Sequence, residues 1–243
     1  MARLTILNYH NVDRPPVGAQ MAKLYVTVEQ FDRQCWLLHR LGIAGVTLSK
    51  GLQRLHSGQS RRCVALTFDD GYLDNLSHAA PIMKQYGFRA TCYIVAGRLG
   101  EYNLWDADEL QVRKPLMKAA QLNTWLAEGH EIGSHTLTHP RLSQLSADLA
   151  TREISESRQR LEQLTGAPVE HFCYPYGDYA PETVAMVSAA GYRSAVTTQR
   201  GLADNRHDPL RLPRVSINGN KGMLRFALKT ATPYAAIGQR NVA

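Results

Sequence analysis

Residues 63–71 read Cys63-Val64-Ala65-Leu66-Thr67-Phe68-Asp69-Asp70-Gly71: a short run that is almost wholly apolar, then two carboxylates and a glycine. A strand with one wet face alternates apolar and polar residues, whereas a run without alternation is expected where both faces are covered, as in a parallel sheet. Residues 63–68 are therefore predicted as a strand of such a sheet, with Asp69-Asp70-Gly71 leaving its C-terminal end. Working outward, strand candidates recur at residues 4–9, 45–48, 90–95, 131–134, 171–174, 194–198 and 213–217. Helices are predicted between them. Thr27 and Gln30 form a capping box ahead of Phe31, Leu38 and Leu41, with Gly42 as the stop. Ala150, Ile154, Leu161 and Leu164 recur at helical spacing up to Gly166, and Pro181 opens a further helix through Val184 and Val187 to Gly191. Eight strands with intervening helices predict an α/β fold, a distorted (β/α) barrel forming one domain over residues 1–243. Residues 97–114 fit no element and read as a long insertion loop, and Trp125 reads as a helix core residue.

Of the 243 residues, 44% are apolar and 20% charged, the composition of a globular chain able to bury a large core. No apolar run approaches the roughly 20 residues of a membrane-spanning helix. The start of the chain lacks the layout of a signal peptide, so a cytoplasmic location is expected. Cys35, Cys63, Cys92 and Cys173 form no CxxC pair, and the last three sit in apolar runs, which predicts buried free thiols. A net charge of +7 raises the question of nucleic acid. The basic residues are dispersed, however, with no run longer than two and no interleaved aromatics, so no nucleic-acid partner is expected. The same charge suits an anionic substrate, such as a sugar carried on a phosphate or diphosphate.

Functional groups of a barrel collect at the C-terminal ends of its strands, where Asp69 and Asp70 stand. Adjacent side chains of a regular strand face opposite sides. Gly71 permits a sharp turn that brings both carboxylates to one pocket, where their repulsion calls for a cation. Alone, Asp-Asp-Gly reads first as a solvent-exposed turn after a strand. The segment His135-Thr136-Leu137-Thr138-His139 follows the strand at 131–134; one helical turn would set both imidazoles on the same side, ready to grip one metal. Two histidines in a polar loop are the other reading. Taken together, Asp70, His135 and His139 offer three ligands with open positions, as in a catalytic zinc site. Asp69 is then the spare carboxylate, placed as a general base.

These segments resemble the motifs of the polysaccharide deacetylases, the NodB-homology domains of carbohydrate esterase family 4. Thr67-Phe68-Asp69-Asp70-Gly71 is similar to the first motif, residues 135–139 to the second, and Phe172-Cys173-Tyr174-Pro175-Tyr176-Gly177 to the third. The likeness runs over about residues 4–217 and leaves 218–243 as a C-terminal extension. It implies a barrel of the NodB type with a divalent metal on Asp70, His135 and His139, zinc first, with cobalt, nickel or iron as alternatives. It further implies Asp69 as the base and the Tyr176 backbone N–H as an oxyanion donor.

Two departures stand out. Many members carry an arginine that braces the base where this chain has Cys173, and Arg214 is the candidate substitute, a surface charge being its other reading. Many members also place the general-acid histidine in a C-terminal Leu-x-His motif that is missing here; instead His10 ends the first strand, as in the similar, circularly permuted poly-N-acetylglucosamine deacetylases. The resemblance thus implies hydrolysis of the N-acetyl group of an N-acetylhexosamine glycan. A small cyclic amide, as in allantoinase-like members, and a silent glycan-binding module are the alternatives. In the insertion, Tyr102, Trp105 and Asp106 either wall a sugar groove or pack as a plain extension of the barrel.

Overall fold

The computed structural model of the protein describes residues 2–219 and 222–231. Its strands are β1 (Thr5–Tyr9), β2 (Asn11–Val12), β3 (Tyr25–Val26), β4 (Ala44–Val46), β5 (Cys63–Phe68), β6 (Thr91–Ile94), β7 (Glu131–Ser134), β8 (His171–Cys173), β9 (Ser194–Arg200) and β10 (Leu212–Ser216). The helices are α1 (Val28–Arg40), α2 (Leu48–His56), α3 (Ala80–Gln85), α4 (Ala107–Leu110), α5 (Ala119–Ala127), α6 (Ala147–Thr165), α7 (Pro181–Ala189) and α8 (Met223–Ala231). Seven parallel strands close a ring in the order β1-β10-β9-β8-β7-β6-β5, completed where β1 pairs with β5 from Thr5 opposite Val64 to Tyr9 opposite Phe68.

All eight strands read from the sequence are present, but the one at residues 44–46 is a branch rather than a ring member. It pairs with the first half of β5, while β6 takes the second half. It also stops short of the predicted residue 48, because the Thr47 side chain accepts from Lys50 N and starts α2. Leu41 and Leu164 leave the predicted apolar stripes: Leu41 is the residue after α1, Leu164 lies in the last turn of α6 before the left-handed Gly166, and both are exposed. Trp125 is fully buried as expected, its indole N–H donating to Glu131 O. All four cysteines are free and buried.

The missing alternation of the strands is explained by two cores. Leu4, Ile6, Cys63, Ala65, Tyr93, Cys173, Val196 and Leu212 fill the ring interior, while Leu7, Tyr9, Val64, Leu66 and Phe68 pack beneath the helices. The interior is narrow. A Cβ at Gly133 would meet the Tyr93 ring at 2.5 Å, so only glycine lets that ring cross the barrel.

The N-terminal end of the barrel is closed by a polar network built from the first residues of four adjacent strands: Thr91, Glu131, His171 and Ser194. Glu131 accepts from Thr91 Oγ1 (2.6 Å), from the Ser49 hydroxyl and from Ser49 N (3.3 Å), so its charge sits at the N-terminus of α2. His171 bridges Ser49 Oγ (2.7 Å) and Ser194 Oγ (2.8 Å). Burial pushes the Glu131 carboxyl up, but His171, Ser49 and Thr91 outweigh it and hold it at about 2. Because the folded value is depressed, the stability it contributes is present above the ordinary carboxylate value of 4.5 and lost as pH falls toward about 2. Glu131→Gln should therefore lower Tm at neutral pH by roughly 2–10 °C, the cost of about 1–3 kcal/mol for a broken buried network. Its acid unfolding should also be flatter between these two pH values; an acid limb as steep as that of the unaltered protein would show that Glu131 does not carry it.

Candidate active site

At the opposite, C-terminal end, the chain leaves β5 through Asp69 and Asp70. Asp70 itself adopts the left-handed conformation (φ 74°), followed by Gly71 (φ 75°), so the turn begins one residue before the glycine assigned to it from the sequence. Aspartate is among the few side chains that tolerate this region. The bend lets two neighbouring carboxylates serve two different sets of partners in one buried pocket.

Asp69 is held by Arg214 of β10 through a bidentate pair, Nη1 to Oδ1 at 2.7 Å and Nη2 to Oδ2 at 2.8 Å. Arg214 is 1% exposed, and its remaining donors go to Thr197 O (2.9 Å), Thr67 Oγ1 (3.2 Å) and Cys173 Sγ (3.3 Å). The arginine named from the resemblance as a substitute thus reaches Asp69, passing beside Cys173. Burial alone would push the Asp69 carboxyl up; the Arg214 charge and hydrogen bonds more than offset it and hold it below the usual range. His10, in the single-residue gap between β1 and β2, places Nε2 4.0 Å from Asp69 Oδ2.

Asp70 faces the two histidines of the second motif, its Oδ1 lying 3.4 Å from Nε2 of both His135 and His139. Of the two readings of this segment, one helical turn or a loop, the turn is absent. Residues 135–139 form an open loop in which Thr136 (φ 66°) and His139 (φ 65°) are both left-handed. Glu153 of α6 pins this loop, accepting from Leu137 N (2.8 Å), Thr138 N (2.9 Å) and Thr138 Oγ1 (2.7 Å), while Thr136 Oγ1 accepts from His139 N (3.0 Å). A local helix would have left Glu153 without these donors. Nothing in the sequence near the histidines signals that clamp, since Glu153 reads as an ordinary helix-surface acid.

The donor set fits a cation. His135 Nδ1 lies 2.7 Å from Cys173 O, so it carries the ring proton and donates. Nε2 is then the ring nitrogen turned to Asp70; burial pushes this imidazole down, but Cys173 and Asp70 outweigh it and hold it well above its ordinary value, and a divalent ion between Nε2 and the carboxylate would take the place of the Nε2 proton. Asp70, His135 and His139 together bring ligand atoms within 4.8 Å of one another, as does a second trio of Asp69, His135 and Cys173. The first trio is favoured: Asp69 is already committed to Arg214, and burial pushes the Cys173 thiol up, which keeps it protonated.

The insertion is no plain loop. It is tied down by bridges of Tyr102 with Pro115 and of Tyr72 with Leu116, and it lays Trp105 on the His139 ring (centroids 4.6 Å, 26° between planes). Tyr102 instead packs beneath Arg113. Asp106 accepts from Asn103 Nδ2; burial, opposed by that bond and reinforced by the Asp70 charge, pushes it up to about 7. Tyr176, left-handed at φ 59°, sets its ring edge-on to His139 at 4.6 Å, with Arg141 over its outer face at 4.2 Å.

The profile of the family described as polysaccharide deacetylase matches residues 56–195. The Staphylococcus aureus poly-β-1,6-N-acetyl-D-glucosamine N-deacetylase is 24% identical over 226 residues, 87% of this chain and 78% of that one. Among solved structures, the Streptococcus pyogenes deacetylase PplD in complex with acetate superimposes with a TM-score of 0.81 at 26% identity, covering 95% of this chain and 99% of that one. IcaB from Ammonifex degensii shares the fold with a TM-score of 0.76 at 22% identity, covering 97% of each chain.

Two substitutions test the geometry. Arg214→Met should lower Tm by roughly 6–20 °C, since leaving one partner of a buried pair alone costs about 3–5 kcal/mol. Adding Asp69→Asn should recover most of that loss; an equal Tm for the single and double variants would show that the stranded charge is not its origin. If Asp70, His135 and His139 hold a divalent ion, Glu153→Gln should weaken its binding by about 10- to 100-fold, read with zinc by competition with a chromophoric chelator, and an unchanged affinity would remove Glu153 from the support of residues 135–139.

Proposed function

Because the chain belongs to the polysaccharide deacetylase family, we propose that it hydrolyses the N-acetyl group of an N-acetylhexosamine glycan, releasing acetate and a free amino sugar. The observation that carries this reading is the pairing of two adjacent carboxylates in one pocket: Asp69 on an arginine, Asp70 on two imidazoles. A divalent ion held by Asp70, His135 and His139 supplies Lewis acidity and lowers the pKa of water. Zinc is the proposed ion, and cobalt, nickel or iron would accept the same donors.

Asp69, kept ionised by Arg214, takes the proton of the attacking water. A carboxylate held this low is a weak base toward bulk water, which ties its role to the neighbouring ligand set. The Tyr176 N–H donates to the oxyanion as the acetyl carbon becomes tetrahedral. His10 gives its proton to the departing nitrogen as the C–N bond breaks, so that a neutral amine leaves. Trp105 and Tyr176 offer aromatic surface to a sugar ring beside His139. The name of the Staphylococcus aureus relative supports a hexosamine polymer, or a precursor of one, as the substrate class. The net charge of +7 favours an anionic carrier for it.

The test is acetate release from β-1,6- and β-1,4-linked N-acetylglucosamine oligomers. Chelator should abolish it and added zinc or cobalt restore it, while Asp69→Asn with the metal retained should cost about 10²- to 10⁴-fold in kcat. Folded, zinc-loaded protein that released no acetate from any such oligomer would sink the proposal.

A further inference from the structure

His10 occupies an awkward place for a residue that must present its ring accurately. It sits between β1 and β2, outside either ladder. Among the described residues its ring has no hydrogen bond, and its one ion-pair contact is with Asp69 at 4.0 Å. Its orientation must therefore come from the backbone on either side, and that backbone is gripped by one segment. Asp69 N donates to Tyr9 O at 3.0 Å. Asn75 Nδ2 donates to His10 O at 2.7 Å, and Val12 N donates to Asp74 Oδ1 at 3.2 Å. His78 Nδ1 lies 2.9 Å from Val12 O.

The grip is itself braced. Asn75 is fully buried; its Nδ2 also donates to Asp74 Oδ1 (3.0 Å), and its Oδ1 accepts from Cys92 Sγ (3.7 Å). A π-type turn over Asn75–Ala79 carries the asparagine, an uncommon geometry that recurs at functional sites. Asp74 pairs through Oδ2 with Lys114 Nζ at 3.2 Å, and Lys114 also binds Asp13 at 3.0 Å. Lys114 closes the insertion that carries Trp105, its backbone N donating to Asn103 Oδ1 at 2.6 Å. Residues 69–75 thus bear the base at one end and hold the histidine at the other.

We infer that Asp74 and Asn75 are positioning residues for His10: by clamping the backbone from His10 to Val12 they keep the imidazole across the pocket from Asp69, and Lys114 extends the clamp to the insertion. The inference rests on the proposed role of His10 as the acid that protonates the leaving amine. The side chains of Asn75 and Asp74 touch the backbone of His10 and Val12 and make no hydrogen bond or ion pair with Asp70, His135, His139 or Arg214, so their loss falls first on that proton transfer. An amide cannot leave without a proton, whereas a phenolate can. The two leaving groups therefore separate loss of the acid from loss of the base or the metal.

The experiment uses the full, zinc-loaded chain with an N-acetylglucosamine oligomer and 4-nitrophenyl acetate. Asn75→Ala should lower kcat on the amide by about 100-fold, while kcat on the ester stays within about threefold and KM and bound zinc are unchanged. His10→Ala should show the same selective loss, and the double variant should be no slower than His10→Ala alone. Equal losses on both substrates, or losses that multiply in the double variant, overturn the inference. If Asn75→Ala does not fold, Lys114→Met decides: a selective loss of about tenfold on the amide upholds the clamp and an unchanged amide-to-ester ratio overturns it. If the unaltered protein cleaves the ester but no N-acetyl glycan, the proposed substrate fails and the clamp is read by NMR. The His10 imidazole signals should then shift or broaden in the variant while those of His135 and His139 hold, and a His10 signal that stays in place overturns it.

Discussion

A carboxylate at the end of a parallel strand, buried and beside a second carboxylate, is the constraint around which this molecule is built. Desolvation alone would push the Asp69 carboxyl up, toward its uncharged form. The bidentate Arg214 pair prevents that, and Arg214 reaches Asp69 only because the ring is closed. It stands on β10, which pairs with β1, which in turn pairs with β5. Were β1 not seated between them, residues 145 positions apart in sequence would have no common wall. The closure that buries Leu4 and Ile6 in the interior is thus the same closure that keeps Asp69 charged.

The two carboxylates avoid competing because they have different partners. Asp69 continues the strand and points to the guanidinium, while Asp70 turns left-handed and points to the histidines. Its φ of 74° stores a modest strain of about 1–3 kcal/mol, tolerated where the surroundings fix the backbone on every side. Here they do: Met117 N donates to Gly71 O, and Leu73 N donates to Pro115 O. The segment just after the insertion, Pro115 to Met117, therefore braces the turn, while the insertion offers a surface above it.

Much of this was legible in the chain. Strands covered on both faces announce themselves by runs without alternation, and chemistry at their C-terminal ends follows from barrel geometry, so Asp69, Asp70, His135 and His139 stood out. What was not legible is whatever depends on a partner far along the chain. The His-x-x-x-His spacing suits a helical turn as well as a loop, and only Glu153, which grips Leu137 and Thr138 from α6, decides for the loop. Arg214 came into view only through the resemblance, as a substitute for the arginine that many members carry where Cys173 stands. Asp74 and Asn75 look like the polar opening of a helix, and nothing local reveals that they face His10. Trp105 left two readings open, and its stacking on His139 resolves where it goes.

The two ends of the barrel show what separates a seal from a site. At the N-terminal end Glu131 and His171 lie 3.4 Å apart, the same separation as Asp70 and each of its histidines at the other end. Carboxylate and imidazole at that distance are therefore no sign of chemistry in themselves. The difference lies in what surrounds them. Glu131 is covered by two hydroxyls and an amide N–H, and His171 spends both ring nitrogens on serines. At the other end, among the described residues, the His10 ring stands without a hydrogen bond and His139 Nδ1 is buried and unpartnered, while Nε2 of both His135 and His139 converges on one oxygen of Asp70. Protein groups complete the first set. The second is complete only with something the chain does not supply, and that incompleteness, more than any single residue type, marks the C-terminal end as the place where a ligand belongs.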